Sequence, residues 1–119
     1  PAFLEPPTPW PFTAEQRVEM VHRDDVSDAL VSAVKTKEAV GKIFNIAGGE
    51  SWRLQGKDYV EDFFKFMGAP IEMAQYREST GWNDWFDTKE SQQILKYQNR
   101  SYEFYSDQMK AIVEEMMGE

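Results

Sequence analysis

The sequence predicts a small α/β fold, a three-stranded sheet with about four helices. Two observations predict it. Short apolar runs rich in strand-forming residues alternate with longer segments whose apolar residues recur every three or four positions. Residues that start and stop helices stand at the ends of those longer segments. The order reads β-α-β-α-β-α-α. Strands alternating with helices favour parallel pairing, because a helix bridges the end of one strand and the start of the next.

Five of the six prolines fall between Pro1 and Pro11. Proline fixes φ and lacks an amide donor, so residues 1–16 read as an extended arm, with Trp10 and Phe12 laid on an apolar surface. Residues 17–119 read as one α/β lobe. Val18, Met20 and Val21 predict a first strand. The first helix carries Val26, Ala29, Leu30, Ala33 and Val34 on one stripe, with Asp24 or Asp25 as its cap and Lys35 and Lys37 near its negative end. Lys42–Ala47 reads as a buried second strand running into Gly48-Gly49. A second helix follows from about Gln55 to Met67, lined by Val60, Phe63, Phe64 and Met67 and stopped by Gly68 and Pro70. Ile71–Tyr76 is the expected third strand. A polar loop, Arg77–Phe86, leads to a short helix opened by Asp87 or Thr88, where Asp87-x-x-Glu90 resembles a capping box. Ser101 caps the last helix, whose apolar face comprises Tyr102, Tyr105, Met109, Ile112, Val113 and Met116.

Composition removes whole classes of function. Thirteen Lys and Arg against 21 Asp and Glu leave a net charge of −8, which argues against nucleic acid or an anionic membrane as a partner. A 41% hydrophobic content is too high for a disordered chain. No apolar run approaches a membrane span, and a cytoplasmic protein is expected. With no cysteine, disulfides, thiolate zinc sites and Cys nucleophiles are excluded; one His excludes multi-His metal centres. No glycine-rich dinucleotide or triphosphate loop is present, and none of the five tyrosines has a Lys four residues later. No catalytic residue is therefore assigned. The first residues, Pro1-Ala2-Phe3, lack an initiator Met and a signal sequence, which leads to the expectation of a piece of a larger protein.

Three places could carry chemistry. His22 beside Asp24 and Asp25 has the form of a general base with its orienter, but no Ser or Cys pairs with it, and a cap-and-turn histidine fits as well. Asn45 and Gly48-Gly49 end a predicted strand, where open α/β sheets bind ligands; a tight turn needing small residues is the competing reading. The stretch from Tyr76 to Asp87 sets Arg77 ahead of Trp82, Trp85 and Phe86, which suits an anionic, partly planar ligand unless the rings pin the loop to its own core.

The order of three segments resembles a known family. Arg17-Val18-Glu19-Met20-Val21-His22-Arg23-Asp24-Asp25-Val26-Ser27-Asp28-Ala29-Leu30 is similar to the strand–His-x-x-Asp-Val-x-x-Ala segment of NAD-dependent epimerases and dehydratases, the extended short-chain dehydrogenases. Gly41 to Gly49 resembles their Gly-x-x-Phe-Asn-Ile-Gly strand. Arg77, Asp87-Thr88, Leu95 and Tyr97 through Ser101 resemble their Arg…Asp-Ser/Thr…Leu-Gly-Tyr-x-Pro ending, with Lys96 in place of Gly, Asn99 in place of Pro, and Arg17 one position from a second family arginine. The resemblance implies the C-terminal, substrate-binding portion of an enzyme that moves a hydride between nicotinamide and a hydroxyl-bearing carbon. NAD or NADP would belong to an N-terminal Rossmann domain of the same polypeptide, and this portion alone would bind none. Arg77 would grip the phosphate of a small-molecule substrate, a nucleotide-sugar, with Trp85 or Phe86 near the sugar or base and Asn45 also at the substrate. Apolar surface left bare by the missing domain would drive homo-oligomerisation. The alternative from another class is a non-enzymatic regulatory module that binds a ligand or a protein.

Overall fold

A computed structural model describes residues 9–118. Four helices form: α1 (Arg23–Lys35), α2 (Gly56–Met67), α3 (Lys89–Leu95) and α4 (Tyr102–Met117). The sheet has two antiparallel strands, β1 (Arg17–Glu19) and β2 (Arg53–Gln55). The α/β class and the four helices stand. The three-stranded sheet with parallel neighbours does not, and each strand is only three residues long.

The strand expected at Lys42–Ala47 fails for want of a neighbour, not of pattern. Phe44 and Ile46 turn inward while Ile43 and Asn45 are exposed, the alternation of a half-buried strand. Its end is bonded by side chains, as described below. The strand expected at Ile71–Tyr76 begins instead as a single 3₁₀ turn, Ile71–Met73, and only Tyr76 makes a bridge, parallel to Trp10. Trp10 donates to the Gln75 carbonyl (2.8 Å), and Arg77 donates to that of Phe12 (3.1 Å). Pro9 and Pro11 on either side of Trp10 fix φ at about −65°, short of the about −120° of a regular parallel strand, and the pairing stops at this one bridge.

The chain divides into two compact units. Among described residues, the first comprises 9–18 and Leu54–Asp84. Its interior holds Phe12, Val18 and Val60, with Trp10 against Phe63 edge-on at 5.5 Å between ring centres. Of the expected arm, residues 1–8 lie outside the described residues; Phe12 is buried. Gly56 opens α2 directly beneath the Phe12 ring, where a Cβ would collide with that ring and with the Thr13 carbonyl. Gly68 stops α2 in the left-handed region (φ 68°), as the sequence predicts.

The second unit comprises Glu19–Arg53 and residues 85–118. Ala29, Leu95 and Tyr97 form its core, flanked by Val21, Ala33, Phe44, Ile46 and Ile94. Trp52 is buried against Tyr102 and Tyr105 at 5.3 and 5.5 Å. The α1 stripe is only half used: Ala29 is buried, while Leu30 and Val34 face outward. Likewise α4 is packed through Tyr102, but Ile112 and Met116 in its last turns are exposed.

Candidate functional site

The helix caps assign His22 its role. Its Nδ1 accepts the amide of Asp24 (3.0 Å), so His22, not Asp24 or Asp25, is the N-cap of α1. A neutral ring accepting at Nδ1 carries its proton on Nε2, which points at Oε1 of Gln108 (2.9 Å). Both nitrogens are engaged in structural bonds, which answers the general-base reading.

Asp25 is released from capping because it is wholly buried elsewhere. Its Oδ2 accepts the amides of Asn99 and Arg100 (both 3.1 Å), and its Oδ1 accepts Nη1 of Arg100 (2.8 Å). The same guanidinium nitrogen reaches Asp28 (2.8 Å), which Asn99 also contacts (3.3 Å). The Arg100 hydrogen bond, then that of Asn99, holds the Asp28 carboxyl below its usual range; Asp28 and then Asp25 raise Arg100 in return.

Glu19 is a second buried carboxylate. Oε2 accepts the Gly49 amide (2.9 Å), and Oε1 accepts the Phe86 amide (3.0 Å) and Nε of Arg53 (3.2 Å). Arg53 in turn donates to the Phe86 carbonyl (2.8 Å). Tyr97 is a third hub. Its hydroxyl donates to the Ala47 carbonyl (2.7 Å) and accepts the Ala47 amide (3.1 Å), the two bonds an adjacent strand would make. Gln98 adds a bond to the Ala47 carbonyl (3.1 Å) and one to Thr88 Oγ1 (2.8 Å). Thr88 is the N-cap of α3; Asp87 accepts the Lys89 amide (3.1 Å), while Glu90 pairs with Lys42 (2.9 Å) instead of closing a capping box.

These bonds decide between the two readings of Gly48-Gly49. The Gly48 amide donates to the Met20 carbonyl (2.8 Å) and the Gly49 amide to Glu19, so neither is available to a phosphate. A Cβ on Gly48 would collide with the Met20 carbonyl and the Trp52 ring. The glycine is demanded by packing, and the pair does not fit a dinucleotide cradle. Among the described residues no group of three or more His, Asp or Glu could hold a metal ion. Among the described residues no helix is long and apolar enough to cross a membrane. A cleft of about 770 Å³ runs past Ser32, Thr36, Gln93 and Lys96, with the Lys42–Glu90 ion pair in its wall.

Of the sequence-predicted site residues, Arg77 belongs to the first unit, and Asn45, Trp85 and Phe86 belong to the second. Asn45 is exposed; Trp85 and Phe86 are each more than one-third exposed, with the Phe86 backbone fixed by Glu19 and Arg53. In the first unit, the loop that carries Arg77 is organised by Gln16, a residue without any signal in the sequence. Its Oε1 accepts the amides of Gly81 (2.8 Å) and Thr13 (3.1 Å), and its Nε2 donates to the Asn83 carbonyl (2.6 Å). Arg17 grips Asp84 at 2.8 and 3.0 Å through two nitrogens. Between these fastenings Trp82 stands 98% exposed. No family model, curated protein or solved structure matches the chain.

Proposed function

We propose that this chain is the C-terminal substrate-binding lobe of an NAD(P)-dependent epimerase, dehydratase or related reductase acting on a nucleotide-sugar in the cytoplasm. The observation that supports the reading is that most of the three segments resembling the family, Glu19–Leu30, Gly41–Gly49 and Asp87–Ser101, lie in one unit and bond to one another there, while Arg17, Val18 and Arg77 belong to the other. The first is joined to the third through Asp25 and Arg100, the second to the third through Ala47 and Tyr97, and the first to the second through Met20 and Gly48. The outward Leu30, Val31 and Val34 of α1 are further support, since they supply apolar surface for an adjoining domain or a second copy.

In this reading Arg77 is the anion-gripping residue of the first unit, and Asn45, Trp85 and Phe86 are the exposed substrate-contact residues of the second. The nicotinamide cofactor, which carries the hydride, is held by a separate Rossmann domain, because the only glycine pair here is closed by its own packing. The reading frame upstream of Pro1 tests this. A glycine-rich βαβ start followed by Tyr-x-x-x-Lys is the expected finding. An in-frame stop codon followed by a start codon just before Pro1 would overturn it in favour of a free-standing module.

A further inference from the structure

We propose that Trp82 and Arg77 together form a recognition site for a flat aromatic anion, with the indole as stacking platform and the guanidinium as the anion's partner. The proposal rests on the lobe reading only in taking Arg77 as the anion grip; Trp82 has no place in that reading. Residues 77–84 read Arg-Glu-Ser-Thr-Gly-Trp-Asn-Asp, so the loop displays a single apolar side chain. That side chain is the most costly one to leave in water, and it is almost wholly exposed.

The backbone beneath it is not loose. Gln16, itself buried, holds the residue before Trp82 by its amide and the residue after it by its carbonyl. Arg17 then holds Asp84 through two contacts. Gly81 is held close as well: a Cβ there would collide with the Pro11 carbonyl and lie 3.3 Å from Nη1 of Arg77. The Arg77 guanidinium therefore lies against the residue that precedes Trp82. It makes no ion pair among the described residues, whereas Arg17, Arg53 and Arg100 are all paired with carboxylates. A cation without an ion pair among the described residues, lying against the residue that precedes a displayed ring, offers a partner for negative charge and a π-face within one short loop. One ring offers the area of one ligand ring, far below that of a protein–protein interface. Fixing the loop in advance lowers the ordering cost of binding.

The ligand's anion can be a nucleotide phosphate or the carboxylate of an aromatic acid, and the test separates them. The full chain is titrated calorimetrically with uridine monophosphate, uridine, inorganic phosphate and 4-hydroxybenzoate. The expected result is binding of at least one of the two aromatic anions, weakened about tenfold by Trp82→Ala and about tenfold by Arg77→Gln. Uridine should lose affinity only with the Trp82 change, and phosphate only with the Arg77 change. Circular dichroism of each variant confirms the fold, which exposed residues leave intact. Failure of both aromatic anions to bind at millimolar concentration, or binding that neither variant alters, overturns the proposal. Either result leaves the lobe reading to be judged by the upstream reading frame alone.

Discussion

Tyr97→Phe isolates the device that holds the 42–49 segment in place. The change deletes one oxygen and keeps the ring, which is fully buried in the core with Ala29 and Leu95, so no cavity of consequence opens. The deleted hydroxyl makes three bonds, donating to the Ala47 carbonyl at 2.7 Å and accepting the Ala47 amide at 3.1 Å and Nε2 of Gln98 at 3.2 Å, and Gln98 keeps its other partners. The carbonyl keeps the Gln98 amide at 3.1 Å. The Ala47 amide keeps nothing among the described residues, and Ala47 is buried. Stranding a buried donor costs about 1–3 kcal/mol, so about 2 kcal/mol of stability should be lost. With a urea slope of about 2 kcal/mol per molar, the unfolding midpoint falls by about 1 M at unchanged slope. Amide exchange supplies the local readout: the Ala47 N–H loses protection while amides within α2 keep theirs. A midpoint shift below about 0.2 M, or an Ala47 amide that remains protected, would refute the claim that the tyrosine hydroxyl stands in for a strand.

Two further outcomes follow from the same geometry. Lys96 ends α3 at φ 50°, in the left-handed region, and is the only non-glycine residue with positive φ among those described. Lys96→Gly relieves a cost of about 1–2 kcal/mol against a smaller entropic loss, so thermal unfolding should rise by a few degrees; a lower midpoint would contradict it. Asp28 titrates below its ordinary value when folded, so its contribution is present above about pH 4 and is lost as pH falls through the lowered folded pKa. In Asp28→Asn the decline in stability as pH falls below about 4 should therefore be shallower, and an unchanged acid-unfolding profile would exclude the pairing with Arg100 as its cause.

The helices were legible because their signals are local. Apolar spacing, Ser101 as a cap and Gly68 as a stop all act within one or two turns, and each appears where the spacing puts it. The sheet was less so. Lys42–Ala47 has the alternation of a strand, but a strand exists only through a neighbour, and neighbours are decided by distant residues. Asp25 illustrates the same limit: acids at a helix start signal a cap, yet the pull of Arg100, 75 positions away, leaves capping to His22. Gln16 and Glu19, which organise the two loops, carry no sequence signal, because a buried Gln or Glu is recognisable only through the backbone groups it meets.

Those buried polar residues share one logic. Where two short strands leave extended segments without a ladder, side chains make the ladder's bonds: Tyr97 to Ala47, Glu19 to Gly49 and Phe86, Gln16 to Gly81 and Asn83, and Asp25 to Asn99 and Arg100. Every buried side-chain nitrogen and oxygen among the described residues is accordingly satisfied. A backbone amide held in this way has no hydrogen left for a ligand, so Gly49, Gly81 and Phe86 are closed as anion-binding donors, as Gly48 is by the Met20 carbonyl. In the loop of residues 77–84 this leaves side chains as the groups on offer: the exposed indole of Trp82, whose two neighbours Gln16 holds, and the guanidinium of Arg77, without an ion pair among the described residues, are the pair proposed for recognition.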